Sequence, residues 1–135
     1  MKATFTHNGK KFIYKVDGKQ VRTSQKAQPY ECVAVRLYDG EFCGIAACGQ
    51  FKTCASYLNM DADIVSRCKA SIELISGEIT FKEYLNRVGY SHAMTPSFFK
   101  DIINAGKRDA YIASKKAAIE EHSHYSTIIL TFVQE

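Results

Sequence analysis

The chain contains only two prolines in 135 residues, and it has no apolar run long enough to cross a lipid bilayer. Few prolines and a hydrophobic fraction of 46% argue against disorder and favour a packed core. The N-terminal stretch MKATFTHNGKKF becomes polar immediately, so we expect no signal peptide. The composition therefore predicts a globular protein with no membrane partner.

The cysteines argue against a disulfide-bonded scaffold, because they number five and lack the dense spacing of small secreted domains. The paired C-x-x-C motif that often marks a structural zinc site is also missing. Thiols without such a framework are typical of a reducing compartment. The sequence therefore predicts a cytoplasmic protein.

Signatures of the common enzyme classes are missing as well. The chain has no P-loop and no GxGxxG, HExxH or GxSxG segment. Their absence disfavours an enzyme, although it does not exclude a novel one, and we expect neither catalytic residues nor a cofactor. The sequence therefore favours a protein that acts by binding another molecule at its surface and not by catalysis.

Turn signals and hydrophobic periodicity predict an α+β fold in a single domain, residues 1–135. Strands come first, helices follow, and one strand returns at the end. This order predicts an antiparallel sheet of about six strands with helices packed on one face. The predicted elements are a three-stranded meander in residues 1–24, a hairpin of strands 31–38 and 41–47, helices at 51–60, 61–75, 80–88, 95–106 and 109–121, and a strand at 125–133. Both faces of the second hairpin are largely apolar, so we expect it to be central.

Two turn signals, Asn8-Gly9 and Asp17-Gly18, define the meander, because a tight hairpin turn requires the positive φ that glycine accepts. With two residues in each loop, Phe5 would lie opposite Phe12, and Tyr14 opposite Val21. One face then carries the core residues Ala3, Phe5, Phe12, Tyr14, Val16 and Val21. The other face carries Lys2, Thr4, Thr6, Lys11, Ile13, Lys15, Gln20 and Arg22.

Positive charge is concentrated in the same segment. Residues 1–30 hold seven lysines and arginines against one acid, whereas the remaining residues hold 11 basic and 13 acidic side chains. A basic sheet face attracts phosphate groups or an acidic protein surface, although exposed lysines also serve solubility and prevent edge pairing. The candidate binding residues are Lys2, Lys10, Lys11, Ile13, Lys15, Lys19 and Arg22.

Three cysteines, Cys43, Cys48 and Cys54, raise the alternative of a metal site that His122 and His124 would have to complete. Residues five apart point to opposite faces of a strand, so Cys43 and Cys48 would not face one ion. We therefore expect no metal site, and we interpret these cysteines as small core residues.

Cys48 also raises the alternative of a catalytic nucleophile, because it precedes Gly49 at a junction of strand and helix. A thiolate there would need a base such as His122 or His124. The segment His124-x-Ser126 is half of a two-histidine phosphoesterase pattern, but the second half is missing from the chain. An enzyme built on these residues is the least favoured interpretation.

These features favour a small, non-catalytic interaction protein that binds a protein partner through the basic meander. Inhibition or regulation of a nucleic-acid-processing complex fits the charge, because such a partner presents sites lined by phosphates or carboxylates. Direct nucleic-acid binding through phosphate contacts is the alternative. It is disfavoured because Phe5, Phe12 and Tyr14 lie on the face away from the lysines, where they would not stack on bases. Neither hypothesis predicts an oligomeric state.

Overall fold

The computed structural model describes residues 2–9, 11–24 and 31–134. The predicted binding residue Lys10 therefore lies outside the described residues. The strands are β1 (Ala3–His7), β2 (Phe12–Val16), β3 (Lys19–Ser24), β4 (Cys32–Tyr38), β5 (Glu41–Gly49) and β6 (Tyr125–Gln134). The helices are α1 (Phe51–Ala55), α2 (Met60–Ile75), α3 (Phe81–Val88), α4 (Pro96–Asn104) and α5 (Arg108–Ser123). The predicted α+β class is confirmed.

The strands form one sheet in the order β3-β2-β1-β6-β4-β5. β1 and β6 run parallel, with Ala3 opposite Phe132, whereas the other paired strands are antiparallel. The sheet is therefore mixed, and the prediction of an antiparallel sheet is wrong for this pair. A tight turn forces two strands to be antiparallel, but nearly the whole chain separates β1 from β6 and leaves their relative direction free.

The first turn of the meander is longer than predicted. The main-chain N–H of Lys11 donates to Asn8 Oδ1 at 2.8 Å, and the N–H of Asn8 donates to the Lys11 carbonyl at 3.1 Å. Because these bonds close a longer loop, Phe5 pairs with Tyr14, and its predicted pairing with Phe12 is wrong. The shift is an even number of residues, so each side chain stays on its predicted face.

The second turn has the predicted two residues, Asp17 and Gly18, with φ values of 50° and 83°. Two successive positive φ values match the twist of the flanking strands. Beyond the turn the register shifts, and Tyr14 pairs with Arg22 where the prediction placed Val21. Such a bulge adds one residue to β3, the edge strand.

The second hairpin turns at Asp39 and Gly40, as predicted, with φ values of 48° and 83°. β4 lies inside the sheet and is largely buried, whereas β5 forms an edge, so only one of the two strands is central. Helix α1 packs against both strands, and its Cys54 contacts a cluster that includes Cys32 and Ala34. Because α1 packs on β5, this edge strand is apolar on both of its faces.

The chain divides into two compact units. The sheet unit comprises Met1–Met60 and Tyr125–Glu135, and the helical unit comprises Asp61–His124. The core of the sheet unit includes Ala3, Phe5, Phe12, Tyr14, Val16, Val33, Val35 and Leu37. The core of the helical unit includes Ala70, Ile75, Tyr84, Val88 and Phe99. The single-domain organisation and the packing of the later helices on one face of the sheet stay predictions.

Two helices of the helical unit begin at their sequence signals. Thr80 and Glu83, a pair with the T-x-x-E spacing of a capping box, form one at the start of α3, where the Glu83 N–H donates to Thr80 Oγ1 at 3.1 Å. At the start of α4, Thr95 Oγ1 accepts from the Phe98 N–H at 3.2 Å, and Pro96 occupies the first turn. Caps of this kind satisfy N–H groups that have no partner inside the helix.

Replacing Thr80 removes the hydroxyl that caps α3. We expect Thr80→Ala to lower the free energy of unfolding by about 1 kcal/mol. Thr80→Ser keeps the hydroxyl and is the matched control, with a loss well below that of alanine. Chemical denaturation followed by circular dichroism measures both variants. An alanine variant as stable as the wild type would contradict a stabilising role for the capping box.

Candidate functional site

The predicted binding residues lie on the meander and at its turns. Lys2, Lys11 and Lys19 are exposed near strand ends, and Ile13 and Lys15 lie half-buried within β2. We call these five residues the basic surface. The remaining predicted residue, an arginine at position 22, belongs to the edge strand β3.

Strand register determines what surrounds Lys15. Thr4 on β1 lies between Lys15 on β2 and Val133 on β6. Paired residues on adjacent strands project to the same face, so these three side chains form one row across the sheet. Thr4 is only 6% exposed, whereas Val133 is 52% exposed. The basic surface therefore borders an exposed apolar side chain that the last strand contributes.

The phenylalanine and tyrosine side chains of the meander lie on the other face. Phe5, Phe12 and Tyr14 are buried. The rings of Phe5 and Tyr14 contact Phe132 of β6, with centroid distances of 5.7 Å and 4.6 Å. This packing confirms the predicted core face, and it makes these rings unavailable for stacking on nucleic-acid bases.

Net charge is divided unequally between the two units. The sheet unit has nine lysines and arginines against five acids, whereas the helical unit has nine of each sign. Within residues 2–9, 11–24 and 31–134, the ammonium groups of Lys2, Lys11, Lys15 and Lys19 form no ion pair. Their charge is therefore available to a partner.

The cysteines of the metal-site alternative occupy different environments. Cys43 is exposed, Cys48 is half-buried in β5, and Cys54 is buried. The Cys43 thiol donates to the Arg36 carbonyl at 3.3 Å, and the Cys54 thiol donates to the Cys32 carbonyl at 3.8 Å. Among the described residues, no group of three or more His, Cys, Asp or Glu side chains could hold a metal ion.

Cys48 has the contacts of a packing residue. It pairs with Val33 across the β4–β5 ladder and packs against the core of the sheet unit. The helix that follows, α1, has only five residues, so its dipole offers little stabilisation to a thiolate. Gly49, with φ of 151°, makes the sharp change of direction between strand and helix. The junction is therefore explained by chain geometry.

Cys32 lies in the interior of the sheet unit, next to Cys54. Burial, together with the neighbouring Cys54 thiol, raises the pKa of Cys32 from 9.0 to about 12. Only the thiolate form of cysteine is a strong nucleophile. Cys32 is therefore protonated and unreactive near neutral pH.

The two late histidines have separate carboxylate partners in the helical unit. His122 Nδ1 lies 2.8 Å from Asp61 Oδ1, and His124 Nε2 lies 2.9 Å from Glu120 Oε1. The Asp61 side chain is only 6% exposed, whereas that of Glu120 is 77% exposed. Asp61 lies in the first turn of α2, which begins at Met60. No sequence motif links Asp61 to His122, so sequence reasoning missed this pair.

No helix in the described ranges is both long and apolar enough to span a membrane. Comparison with protein-family models, curated proteins and solved structures finds no match to this chain. Function must therefore be inferred from the geometry and charge of the chain itself.

Exposure and pKa together predict the order in which the thiols react. Cys43 is exposed, whereas Cys32, Cys54 and Cys68 are buried. Because burial keeps Cys32 protonated, iodoacetamide at about pH 8 should modify Cys43 first and Cys32 only after unfolding. Peptide mass spectrometry measures the order, and labelling in guanidinium is the control for reagent activity. Native labelling of Cys32 as fast as Cys43 would contradict its buried position.

The buried Asp61–His122 pair should stabilise the helical unit more than the exposed Glu120–His124 pair. We expect His122→Ala to lower the free energy of unfolding by about 1–3 kcal/mol, because it removes a hydrogen-bond partner from a buried carboxylate. His124→Ala is the matched control, with an expected loss below about 1 kcal/mol, because solvent screens its partner. Urea denaturation measures both variants, and equal losses would count against the buried pair.

Proposed function

We propose that this chain is a small, non-catalytic, cytoplasmic interaction protein that binds an acidic protein partner through the basic surface. The favoured partner is a nucleic-acid-processing complex, in which carboxylates gather around catalytic sites. By occupying such a site, the protein would inhibit or regulate the complex.

One observation carries the proposal, namely the unpaired positive charge of the meander. Four lysines of the basic surface make no ion pair within the described part of the chain, while the helical unit has equal numbers of acids and bases. A surface patch of positive charge increases the rate at which a negatively charged partner associates, and it orients that partner before contact. The charge therefore supports binding through the sheet unit.

The surroundings of Lys15 favour a protein partner over a nucleic acid. Ile13 and Val133 lie on the same sheet face as Lys15, and Val133 is exposed. Protein interfaces typically combine an apolar centre with a polar rim. A single-stranded nucleic acid would instead require aromatic rings for stacking, and Phe5 and Tyr14 of the meander are buried. Direct nucleic-acid binding is therefore the second candidate.

Two matched double variants test the proposal. Lys11→Glu/Lys15→Glu reverses charge on the basic surface, and Lys82→Glu/Lys116→Glu makes the same charge change at exposed sites of the helical unit. Each tagged protein is incubated with nuclease-treated host extract, and captured proteins are quantified by mass spectrometry. We expect a partner that the wild type and the control capture equally and that the basic-surface variant loses by at least about tenfold, or 1.4 kcal/mol.

A salt titration with labelled DNA and RNA separates the two candidate partners. If the partner is a protein, we expect the wild type not to bind labelled DNA or RNA at about 150 mM salt. Direct binding through phosphate contacts would instead give an affinity for nucleic acid that falls steeply as the salt concentration rises. Nucleic-acid binding that disappears in the basic-surface variant would overturn the protein-partner proposal in favour of direct binding. If the basic-surface variant and the control variant capture the partner equally, the basic surface does not take part in the interaction.

A further inference from the structure

An open-sided cavity of about 370 Å³ lies between α2, α3, α4 and α5 of the helical unit. This volume falls within the range of small-molecule sites, about 300–1,000 Å³. All of the lining residues belong to the helical unit, so the cavity is separate from the basic surface. The proposed function makes no use of it.

Aromatic rings form much of the cavity wall. Tyr84, Phe98 and Tyr111 line it, and the rings of Phe98 and Tyr111 meet edge to face with centroids 6.1 Å apart. Burial raises the pKa of Tyr111, although a hydrogen bond with Ser71 opposes the shift. Tyr84 is buried, and Phe98 and Tyr111 are half-buried, so this part of the wall presents aromatic surface that suits a flat apolar ligand body.

Three basic side chains line the same cavity, and none of its lining residues is acidic. Arg67 comes from α2, His92 from the turn after α3, and Lys115 from α5. Neither Arg67 nor Lys115 forms an ion pair within the described ranges, and Lys115 Nζ lies 5.3 Å from the centroid of the Tyr111 ring. Positive charge thus converges on the cavity, although the helical unit as a whole is neutral.

The turn between α3 and α4 is held against the cavity by hydrogen bonds. The Met94 N–H donates to the Tyr84 hydroxyl at 3.0 Å, and the Ala93 N–H donates to the Gly89 carbonyl at 3.0 Å. Gly89, with φ of 78°, provides the change of direction that ends α3. These bonds order the backbone of the turn that carries His92.

We infer that this cavity binds a small organic anion with an aromatic body. The rings of Tyr84, Phe98 and Tyr111 contact the body, and Arg67 and Lys115 pair with the anionic group. The guanidinium group of arginine can donate to two oxygens of a carboxylate or phosphate group at once, and the partial burial of Arg67 and Lys115 strengthens the attraction relative to bulk water. Ligand specificity then comes from the combination of ring and charge.

Titration of the wild-type protein with phenyl phosphate tests the site by backbone NMR. Benzyl alcohol, which has the ring without the charge, and inorganic phosphate, which has the charge without the ring, are the ligand controls. We expect phenyl phosphate to bind at least about tenfold more tightly than either control. The shifted signals should cluster in residues 64–71, 84–98 and 111–115.

Matched charge-neutralising variants test the named cations. Arg67→Gln/Lys115→Gln should weaken phenyl phosphate binding at least about tenfold, whereas Lys82→Gln/Lys116→Gln, with the same charge change at exposed positions, should leave it unchanged. Circular dichroism establishes that each variant is folded. If the first variant fails to fold, the location of the wild-type shifts still decides the question.

Three results would overturn the inference. The first is no saturable binding of phenyl phosphate to the wild type up to about 10 mM, which is weaker than any specific site of this size should be. The second is a set of shifted signals confined to the basic surface. The third is equal affinity for inorganic phosphate, which would show that the ring contributes nothing. None of these results bears on the protein partner of the basic surface.

Discussion

The sheet unit depends on the insertion of β6 between β1 and β4. This strand pairs in parallel with β1 on one side and antiparallel with β4 on the other. Its inward side chains, Ile128, Leu130 and Phe132, pack against the core of the unit. Without β6, the three-stranded meander and the two-stranded second hairpin would be separate pieces, and an isolated two-stranded hairpin is at best marginally stable in water. One long-range pairing therefore joins two local structures into a single core.

The same pairing completes the basic surface. The meander supplies Lys15 and Thr4 through local hairpin contacts, but Val133 reaches their row only because β6 lies beside β1. The positive charge is thus set by the composition of residues 1–30 alone, whereas the position of Val133 next to it depends on the pairing of β6 with β1. A peptide containing the meander alone would keep the lysines and lose the mixed surface that favours a protein partner.

Features governed by a few neighbouring residues could be predicted from the sequence, including the Asp17-Gly18 turn, the Thr80 capping box and the core face of the meander. Features that join distant residues could not. The alternation of apolar and polar residues in β6 identifies a strand but does not indicate which strands it pairs with. Likewise, no sequence pattern links Asp61 to His122, which lie far apart in the chain. The lysines of the basic surface could be identified because charge clusters in the sequence, whereas the cavity residues are spread over four helices and the turn between α3 and α4, and only the fold brings them together.

Net charge alone does not describe how charge is placed in the helical unit. Its acids and bases are equal in number, but they are not evenly placed. Glu73 pairs with Arg87 at the surface, whereas Arg67 and Lys115 line the cavity without a carboxylate partner in the described residues. Lys2, Lys11 and Lys19 of the basic surface are exposed, and salt shortens the reach of such charges to about 8 Å at physiological ionic strength, whereas half-buried charges such as those of Arg67 and Lys115 are screened less. The partner proposed for the basic surface and the anion proposed for the cavity would therefore meet charges that salt screens to different degrees.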